Sequence, residues 1–494
     1  MGLSITKTEF DTADYQKFAV QVRRDLAVLK SVLAQDGFGD GPASLGAEVE
    51  FYIVDEQGFV KPINLQIADQ LQDPLVTMEL NRFNLEYNLS PQAFQGEPFA
   101  LAEQQLQQAT ANCNRVAQQL GGQLVPIGIL PTLRPQDFSL KMMTDLPRYQ
   151  VLSRALRDMR GEPFKINIAG KERLNISTNY VTLEGANTSY QLHWRVPTHQ
   201  FTQYYNAIQL VTPIVLAIAA NSPGLLQNNL WDETRIALFK QSIDTRSPSE
   251  KAWRHPPRVY FGYGWLGSAW DAFAASAALY PPIIPILGEE DPQQTFADGE
   301  TPKLQALSLH HGTTWPWNRA VYDWHDGGHL RIEMRALPAG PTAADMSANG
   351  LFLIGAAKAL MDKIDDIKAI MPFHYAELNF YRAAKYGMDA DLIWPDEKNY
   401  ALKESSFITI ANELIPLAKN ALLTTDMVES EIDRLFSIIE GRMENRISGA
   451  RWQRTMVEQY GHANDKLTAH QLMLQQYIAN NASGKPLHEW SLQP

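Results

Sequence analysis

Four segments of the chain repeat one design, and it restricts the fold more than any other feature. In the segment 47–54, Ala47, Val49, Phe51 and Ile53 are apolar while Glu48 and Glu50 fall between them. In 82–89, Phe83, Leu85, Tyr87 and Leu89 alternate with Arg82, Asn84, Glu86 and Asn88. Tyr190, Leu192, Trp194 and Val196 alternate with Gln191, His193 and Arg195; Leu330, Ile332, Met334 and Ala336 alternate with Arg331, Glu333 and Arg335. Strand side chains point to opposite faces with a period of two, so each segment predicts a strand with one face on a core and one polar face. An antiparallel sheet with one solvated face shows the same alternation. A solvated face, however, is usually built from Lys, Thr and Ser, and these four segments contain no Lys. Their carboxylates suit Mg²⁺, and their arginines suit phosphate and carboxylate oxygens through paired hydrogen bonds. If the four faces converge, Glu48, Glu50, Glu86 and Glu333 repel one another unless cations lie between them.

The surrounding pattern is mixed. An amphipathic helix is predicted over 13–35 and a second over 98–120, stopped by Gly121-Gly122. Strands are predicted at 46–55, 82–89 (ended by Ser90-Pro91), 124–130, 165–169, 174–183, 189–196 and 329–337. Further helices are expected at 147–160, 203–220 and 231–246, a loop-rich aromatic region at 250–325, and a predominantly helical pattern from about 345. Strands and helices without a βαβ rhythm point to an α+β fold with an antiparallel sheet. The expected organisation is a catalytic α+β domain over 1–345 with a mainly helical region, 346–494, packed on it.

The charge balance excludes some partners. A formal net charge of −12 over 494 residues argues against nucleic acid, which needs a basic footprint. Cys113 is the only cysteine, so no intrachain disulfide or thiolate cluster can form, and its Gln-rich helical setting marks it as structural. The longest apolar run, 208–220, contains Gln209, Thr212 and Pro213 and is too short to span a bilayer. The N-terminus has no basic segment followed by an apolar core, so the cytoplasm is the default compartment. Small-molecule substrates are the expected partners, and homo-oligomerisation stays open.

The same segments resemble the glutamate–cysteine ligase family of the second, bacterial and plant type, including its carboxylate–amine ligase branch. The matching stretches are Gly-Ala-Glu-Val-Glu-Phe at 46–51, Glu-Leu-Asn-Arg-Phe-Asn-Leu-Glu at 79–86 and Thr-Ser-Tyr-Gln-Leu-His at 188–193. Ala-Asn-Ser-Pro at 220–223, Trp-Asp-Glu-Thr-Arg with Ile-Asp-Thr-Arg across 231–246, and His-Leu-Arg-Ile-Glu-Met-Arg at 329–335 follow in the family's order. The resemblance implies a glutamine-synthetase-like fold, an antiparallel sheet curled into a funnel that holds ATP, Mg²⁺ and an amino acid. It implies Glu48, Glu50, Glu86 and Glu333 as metal ligands, with Glu79 a less secure one. Gln191, His193 and Arg335 fall on the nucleotide side, with Arg335 directed at the transferred phosphoryl group. Arg235, Arg246 and Arg195 fall at the substrate and phosphate site, and Arg246 joins Arg335 as catalytic. The spacing of eleven residues from Arg235 to Arg246 is close to three helical turns, which would let one helix present both. The implied reaction activates the γ-carboxylate of glutamate as an acyl phosphate for attack by an amine, with cysteine the leading acceptor. A phosphotransferase or a non-catalytic binding relative on the same fold are the alternatives. Trp194-Arg195 follows His193 where small residues are common in the family, and no motif maps beyond 345.

Other signals are weaker. His310-His311 and His325/His329 offer histidines without a full zinc ligand set. The stretch Trp315–Trp324 reads as a lid or pocket wall, and Gly262-Tyr263-Gly264 as a turn.

Overall fold

A computed structural model describes residues 7–246, 255–396 and 398–493. Helix α1 (Thr12–Leu33) opens with a reciprocal cap, the Asp11 carboxylate accepting from the Asp14 amide, and buries Phe18, Val22, Leu29 and Val32. The strands are β1 (Ser44–Val54), β2 (Val76–Met78), β3 (Asn84–Ala93), β4 (Gln123–Val125), β5 (Phe164–Ala169), β6 (Arg173–Thr178) and β7 (Tyr190–Arg195). After them come β8 (Gly224–Leu225), β9 (Asn228–Asn229), β10 (Val259–Tyr260), β11 (Trp315–Pro316), β12 (Asn318–Asp323) and β13 (His329–Met334), then the hairpin β14 (Asp391–Asp396) and β15 (Ala401–Ser406). The helices between them are α2 (Asn64–Leu71), α3 (Pro98–Gln119), α4 (Pro147–Arg160), α5 (Phe201–Ala219), α6 (Thr234–Ser242), α7 (Ala269–Leu279), α8 (Pro292–Ala297) and α9 (Gln305–His311). Seven more follow: α10 (Ala343–Leu360), α11 (Ile364–Ile370), α12 (Phe373–Tyr386), α13 (Phe407–Leu422), α14 (Glu429–Asn445), α15 (Gly449–Gly461) and α16 (Lys466–Ala482), with a short 3₁₀ turn at Leu487–Glu489.

One seven-stranded sheet organises the chain, in the order β12-β13-β7-β1-β3-β2 with β4 paired to β1. Every pairing in it is antiparallel. Leu192 and Trp194 lie on its apolar face. Trp194 meets Phe94 and Tyr204 of α5 edge-on or tilted, and a Cβ on Gly350 of α10 would come within 2.7 Å of Leu192. Glycine at 350 is what lets α10 seat that closely on the sheet. Helix α5 is buried nearly throughout, the reason its sequence is apolar all round rather than amphipathic. No helix among the described residues is long and apolar enough to cross a membrane. Cys113 is buried within α3, and burial pushes its thiol up to about 12, which leaves it protonated.

Several boundaries depart from the sequence reading for local reasons. β3 starts at Asn84, with Arg82 and Phe83 in the preceding turn, and it runs through Ser90-Pro91 to Ala93. Register against β1 slips between Leu45 and Ala47, so Ser90 and Pro91 together oppose Gly46, a bulge that tolerates the missing proline amide. β4 stops at Val125 because Pro126 follows. The expected strand 174–183 divides into β6 and a 3₁₀ segment, Val181–Ala186. β12 lies inside the region read as loop; its inward face includes polar Asn318 and its outward face Val321, which blurs the alternation. The Trp315–Trp324 stretch is therefore mostly strand and not a lid.

His310 and His311 are core residues. His311 faces the Ser276 hydroxyl through Nδ1 (3.0 Å) and the Ala320 carbonyl through Nε2 (2.9 Å). Burial first, then the Arg319 charge, pull its imidazole down to about 3. A depressed folded value means the contribution to stability is present above pH 6.5 and is lost as pH falls from 6.5 toward 3. The protein is expected to lose up to about 1.4 kcal/mol per pH unit below 6.5 from this group. Urea midpoints at pH 7 and pH 5 check this; a His311→Asn variant, weaker at pH 7, must show a flatter decline, and an equally steep one rejects the assignment.

Candidate active site

The polar face of the sheet sorts its charges along the strands. Register sets Glu48 opposite both Gln191 and Asn88, Glu50 opposite Glu86, Glu333 opposite His193 and Arg319, and Arg331 opposite Arg195. Two clusters result, each with its donor atoms within 4.8 Å of one another: Glu50, Glu79 and Glu86, and Glu48, His193 and Glu333. The carboxylates expected as metal ligands are divided between two neighbouring groups, and Glu79, from the loop after β2, closes the first.

The clusters differ in how their charge is balanced. Glu50 accepts from the Ser189 amide (2.7 Å), and Glu86 accepts from the Thr77 hydroxyl (2.7 Å) and the Asn88 amide (2.8 Å). Among the described residues none of Glu50, Glu79 and Glu86 forms an ion pair. Burial and then the Glu86 charge push the Glu50 carboxyl up to about 8, and burial with Glu86 and Glu50 drives Glu79 well above the carboxylate range. Burial and the Glu48 charge raise Glu86 as well. Two carboxylates 4.8 Å apart repel by about 3–4 kcal/mol at an effective dielectric near 20. Three such acids with oxygen donors only are the set a hard divalent cation such as Mg²⁺ takes.

In the second cluster protein cations already balance the acids. Arg319 forks onto Glu333 through Nε and Nη2, and Arg335 Nη1 donates to Glu333 Oε1 at 2.5 Å. Burial opposes ionisation of Glu333, but Arg319 and Arg335 outweigh it and hold the carboxyl well below its usual range. Burial likewise opposes Glu48, and His193 outweighs it. Arg331 Nε donates to His193 Nδ1 (3.2 Å), so Nε2 carries the ring proton and faces Glu48 at 3.0 Å. Arg331 also pairs with Asp323 at 2.6 Å. Beside it, the Arg195 guanidinium lies where a Cβ on Gly41 would sit, 1.9 Å from Nη2, so only glycine admits this arginine.

Arg235, on the first turn of α6, is buried near Glu50. It donates to Glu233 (3.0 Å) and the Ala336 carbonyl (3.1 Å), and its Nε has no partner among the described residues. Glu233 is itself held by the Asn221 amide (2.8 Å) and the Ser222 hydroxyl (2.7 Å), and Gln453 of α15 donates to Asn221 Oδ1 (2.8 Å). The C-terminal helices thus brace the segment that positions Arg235. Arg246 stands apart: α6 ends at Ser242, and Arg246 folds back onto Asp244 with two 2.8 Å bonds, in the wall of a separate cavity beside Lys240. One helix does not present both arginines, because Ile243 leaves the helical conformation.

The sequence reading missed Arg319, Arg331 and Glu184. Arg319 lay in the unrecognised β12. Arg331 stood on a recognised face but matched no assigned role. Glu184, in the 3₁₀ segment, is pushed up to about 7 by burial and adds to the charge around Glu50 and Glu79. His325 pairs with Asp323 at 2.7 Å, and neither cation cluster among the described residues includes His310, His311, His325 or His329.

Comparison with known proteins places this arrangement. The profile of the family described as Glutamate-cysteine ligase family 2 (GCS2) matches residues 44–459. No curated protein sequence matches the chain. Among solved structures, glutamate–cysteine ligase from Francisella tularensis in complex with AMP superposes with a TM-score of 0.50 at 12% identity, over 91% of this chain and 96% of that one. A bifunctional glutathione synthetase from Pasteurella multocida gives a TM-score of 0.48 at 10% identity, over 96% of this chain and 54% of its own. At 12% identity the likeness to the Francisella tularensis enzyme speaks to fold alone.

Proposed function

Because the chain belongs to glutamate–cysteine ligase family 2 and is on that ground an ATP-dependent carboxylate–amine ligase, we propose that it joins the γ-carboxylate of glutamate to an amine. The reaction runs through an acyl phosphate, with cysteine the first acceptor to test. The observation that carries this reading is the charge-sorted sheet face, where a carboxylate trio with no ion pair among the described residues adjoins an arginine-flanked second cluster. In this reading the sheet is the floor of a glutamine-synthetase-like funnel, the region 1–345 is the catalytic domain with 346–494 packed on it, and the protein works in the cytoplasm.

Glu50, Glu79 and Glu86 would hold one Mg²⁺, and Glu48 and Glu333 would offer carboxylate oxygens to a second, with His193 orienting Glu48 through its ring N–H. When bound, Mg²⁺ supplies neutralisation of the ATP phosphate oxygens. Arg335 and Arg319, anchored by Glu333, present fixed positive charge where the γ-phosphoryl group carries its developing charge. Arg195 and Arg331, one register step away, extend that positive surface along the polyphosphate, with Gln191 and His193 on the nucleotide side. Arg235, with its unpartnered Nε, orients the donor amino acid beside Glu50. The phosphoryl group moves to the γ-carboxylate with release of ADP; the amine then attacks the carbonyl, and phosphate and a proton leave.

Incubation with ATP, Mg²⁺, glutamate and single amines, followed by mass spectrometry of products, tests the reading. A γ-glutamyl amide with ADP and phosphate in equal amounts is expected. A stable phosphorylated product without amide would replace the ligase by a phosphotransferase.

A further inference from the structure

A second concave site lies beyond the β12 edge of the sheet. Helix α6, β10 and α12 enclose a cavity of about 540 Å³, within the roughly 300–1,000 Å³ of small-molecule sites. Its walls carry both signs of charge. Lys240, at the end of α6, donates to the Tyr381 hydroxyl at 2.5 Å and has no carboxylate within ion-pair distance among the described residues. Arg246 stands beside it, already paired with Asp244. Glu377, from α12, forms no ion pair or hydrogen bond among the described residues. Tyr260 and Tyr263, stacked 4.5 Å apart, and Phe373 supply apolar wall between the charges. An amine-and-carboxylate molecule with a side chain is the complement of such a surface: its carboxylate needs an available cation, its ammonium an available carboxylate.

The cavity abuts the phosphoryl end of the sheet face. Trp317 N donates to the Tyr260 carbonyl (3.0 Å) while Arg335 N donates to the Trp317 carbonyl (2.9 Å), so Tyr260 and Arg335 flank one residue. Phe239 of α6 packs on the Trp317 ring at 5.7 Å. Arg319, forked onto Glu333, lies close enough to bear on the Tyr260 hydroxyl. Helix α6 itself runs from Arg235, beside Glu50, to Lys240 in the cavity wall.

We propose that this cavity is the acceptor subsite and that Lys240 and Glu377 select the amine substrate, Lys240 receiving its carboxylate and Glu377 its ammonium. The proposal rests on the ligase reading above. The donor glutamate is assigned elsewhere because its reacting carboxylate belongs beside Glu50 and Arg235, and aromatic walls do not suit its acidic side chain. Helix α12 thereby gives the region beyond residue 345 a part in substrate choice.

The test uses the full chain with ATP, Mg²⁺ and glutamate, and two matched pairs of amines: L-cysteine against cysteamine, and L-phenylalanine against phenethylamine. Within the productive pair the amino acid is expected to have at least a tenfold higher kcat/KM than the amine lacking the carboxylate. Glu377→Gln and Lys240→Met are expected to raise the acceptor KM tenfold or more while the glutamate KM moves less than threefold. Glu377→Asp, which keeps the charge, is expected to recover most of that loss, as a packing defect would not. An unchanged acceptor KM in both variants overturns the assignment, and a shift in glutamate KM instead makes the cavity a donor site. Wild-type protein that forms amide with none of the four amines brings down the ligase reading together with the subsite; amide formation with unmoved variants brings down the subsite alone.

Discussion

Glu50→Gln is expected to reduce glutamate-dependent ATP turnover by about 10³-fold or more while leaving the fold at least as stable as in the parent chain. The activity follows from the donor set: Glu50, Glu79 and Glu86 form a trio with no ion pair among the described residues, whose repulsion outweighs the nearby charges of Arg235 and Arg148, and removing one carboxylate removes a ligand for the ion that would relieve it. The stability runs the other way. A carboxyl raised to about 8 binds a proton more readily folded than unfolded, so its ionisation costs stability progressively above pH 4.5. A neutral amide at 50 escapes that cost and still accepts from the Ser189 amide. In metal-free buffer at pH 8 the variant should therefore melt at or above the parent temperature. Retention of more than a tenth of the parent turnover would sink the metal assignment. A large fall in melting temperature would mean the lost activity is lost structure.

Arg335→Lys should lower kcat by about 10²–10³-fold with the KM for ATP moving less than threefold. Arg335 directly follows β13 with Nη1 on Glu333, and burial, which lowers its affinity for a proton, is outweighed by Glu333. The guanidinium is thus fixed at one edge, leaving its remaining donors a set direction. Lysine keeps the charge but not the planar fork, so it neutralises without aiming. The loss belongs in the transition state, where phosphoryl charge is redistributed, rather than in ground-state binding. Steady-state kinetics with saturating glutamate decide the matter. Near-parent kcat makes Arg335 structural, and a raised KM with kcat held makes it a ground-state contact only.

Much of the sheet face was legible because alternation is local. The parity of Glu48 and Glu50, of Gln191, His193 and Arg195, and of Arg331, Glu333 and Arg335 follows from the period of a strand, and each set shares a face as expected. What failed was also local in origin. Persisting helical spacing would set Arg235 and Arg246 on one face, whereas α6 ends at Ser242, so the two arginines serve different surfaces. Strand β12 escaped because Asn318, an inward residue, is polar; its amide donates to Gln209 and Thr212 of α5, a pairing no neighbouring residue announces.

The sequence alone determined which side chains each strand offers to its polar face, and with the order of the motifs it determined the family. Tertiary structure decided how those side chains are grouped. Strand order and register place Glu333 with Glu48 rather than with Glu50, bring Arg319 across from Glu333, and let a loop residue, Glu79, close the first trio. They also bring Gln453 to Asn221 and Glu377 opposite Lys240 from more than a hundred residues away along the chain. The physical reason is one of range. Side-chain parity is set by backbone geometry over two residues, but the balance of charge in a buried site depends on which strands become neighbours, and that is set by the packing of the whole sheet.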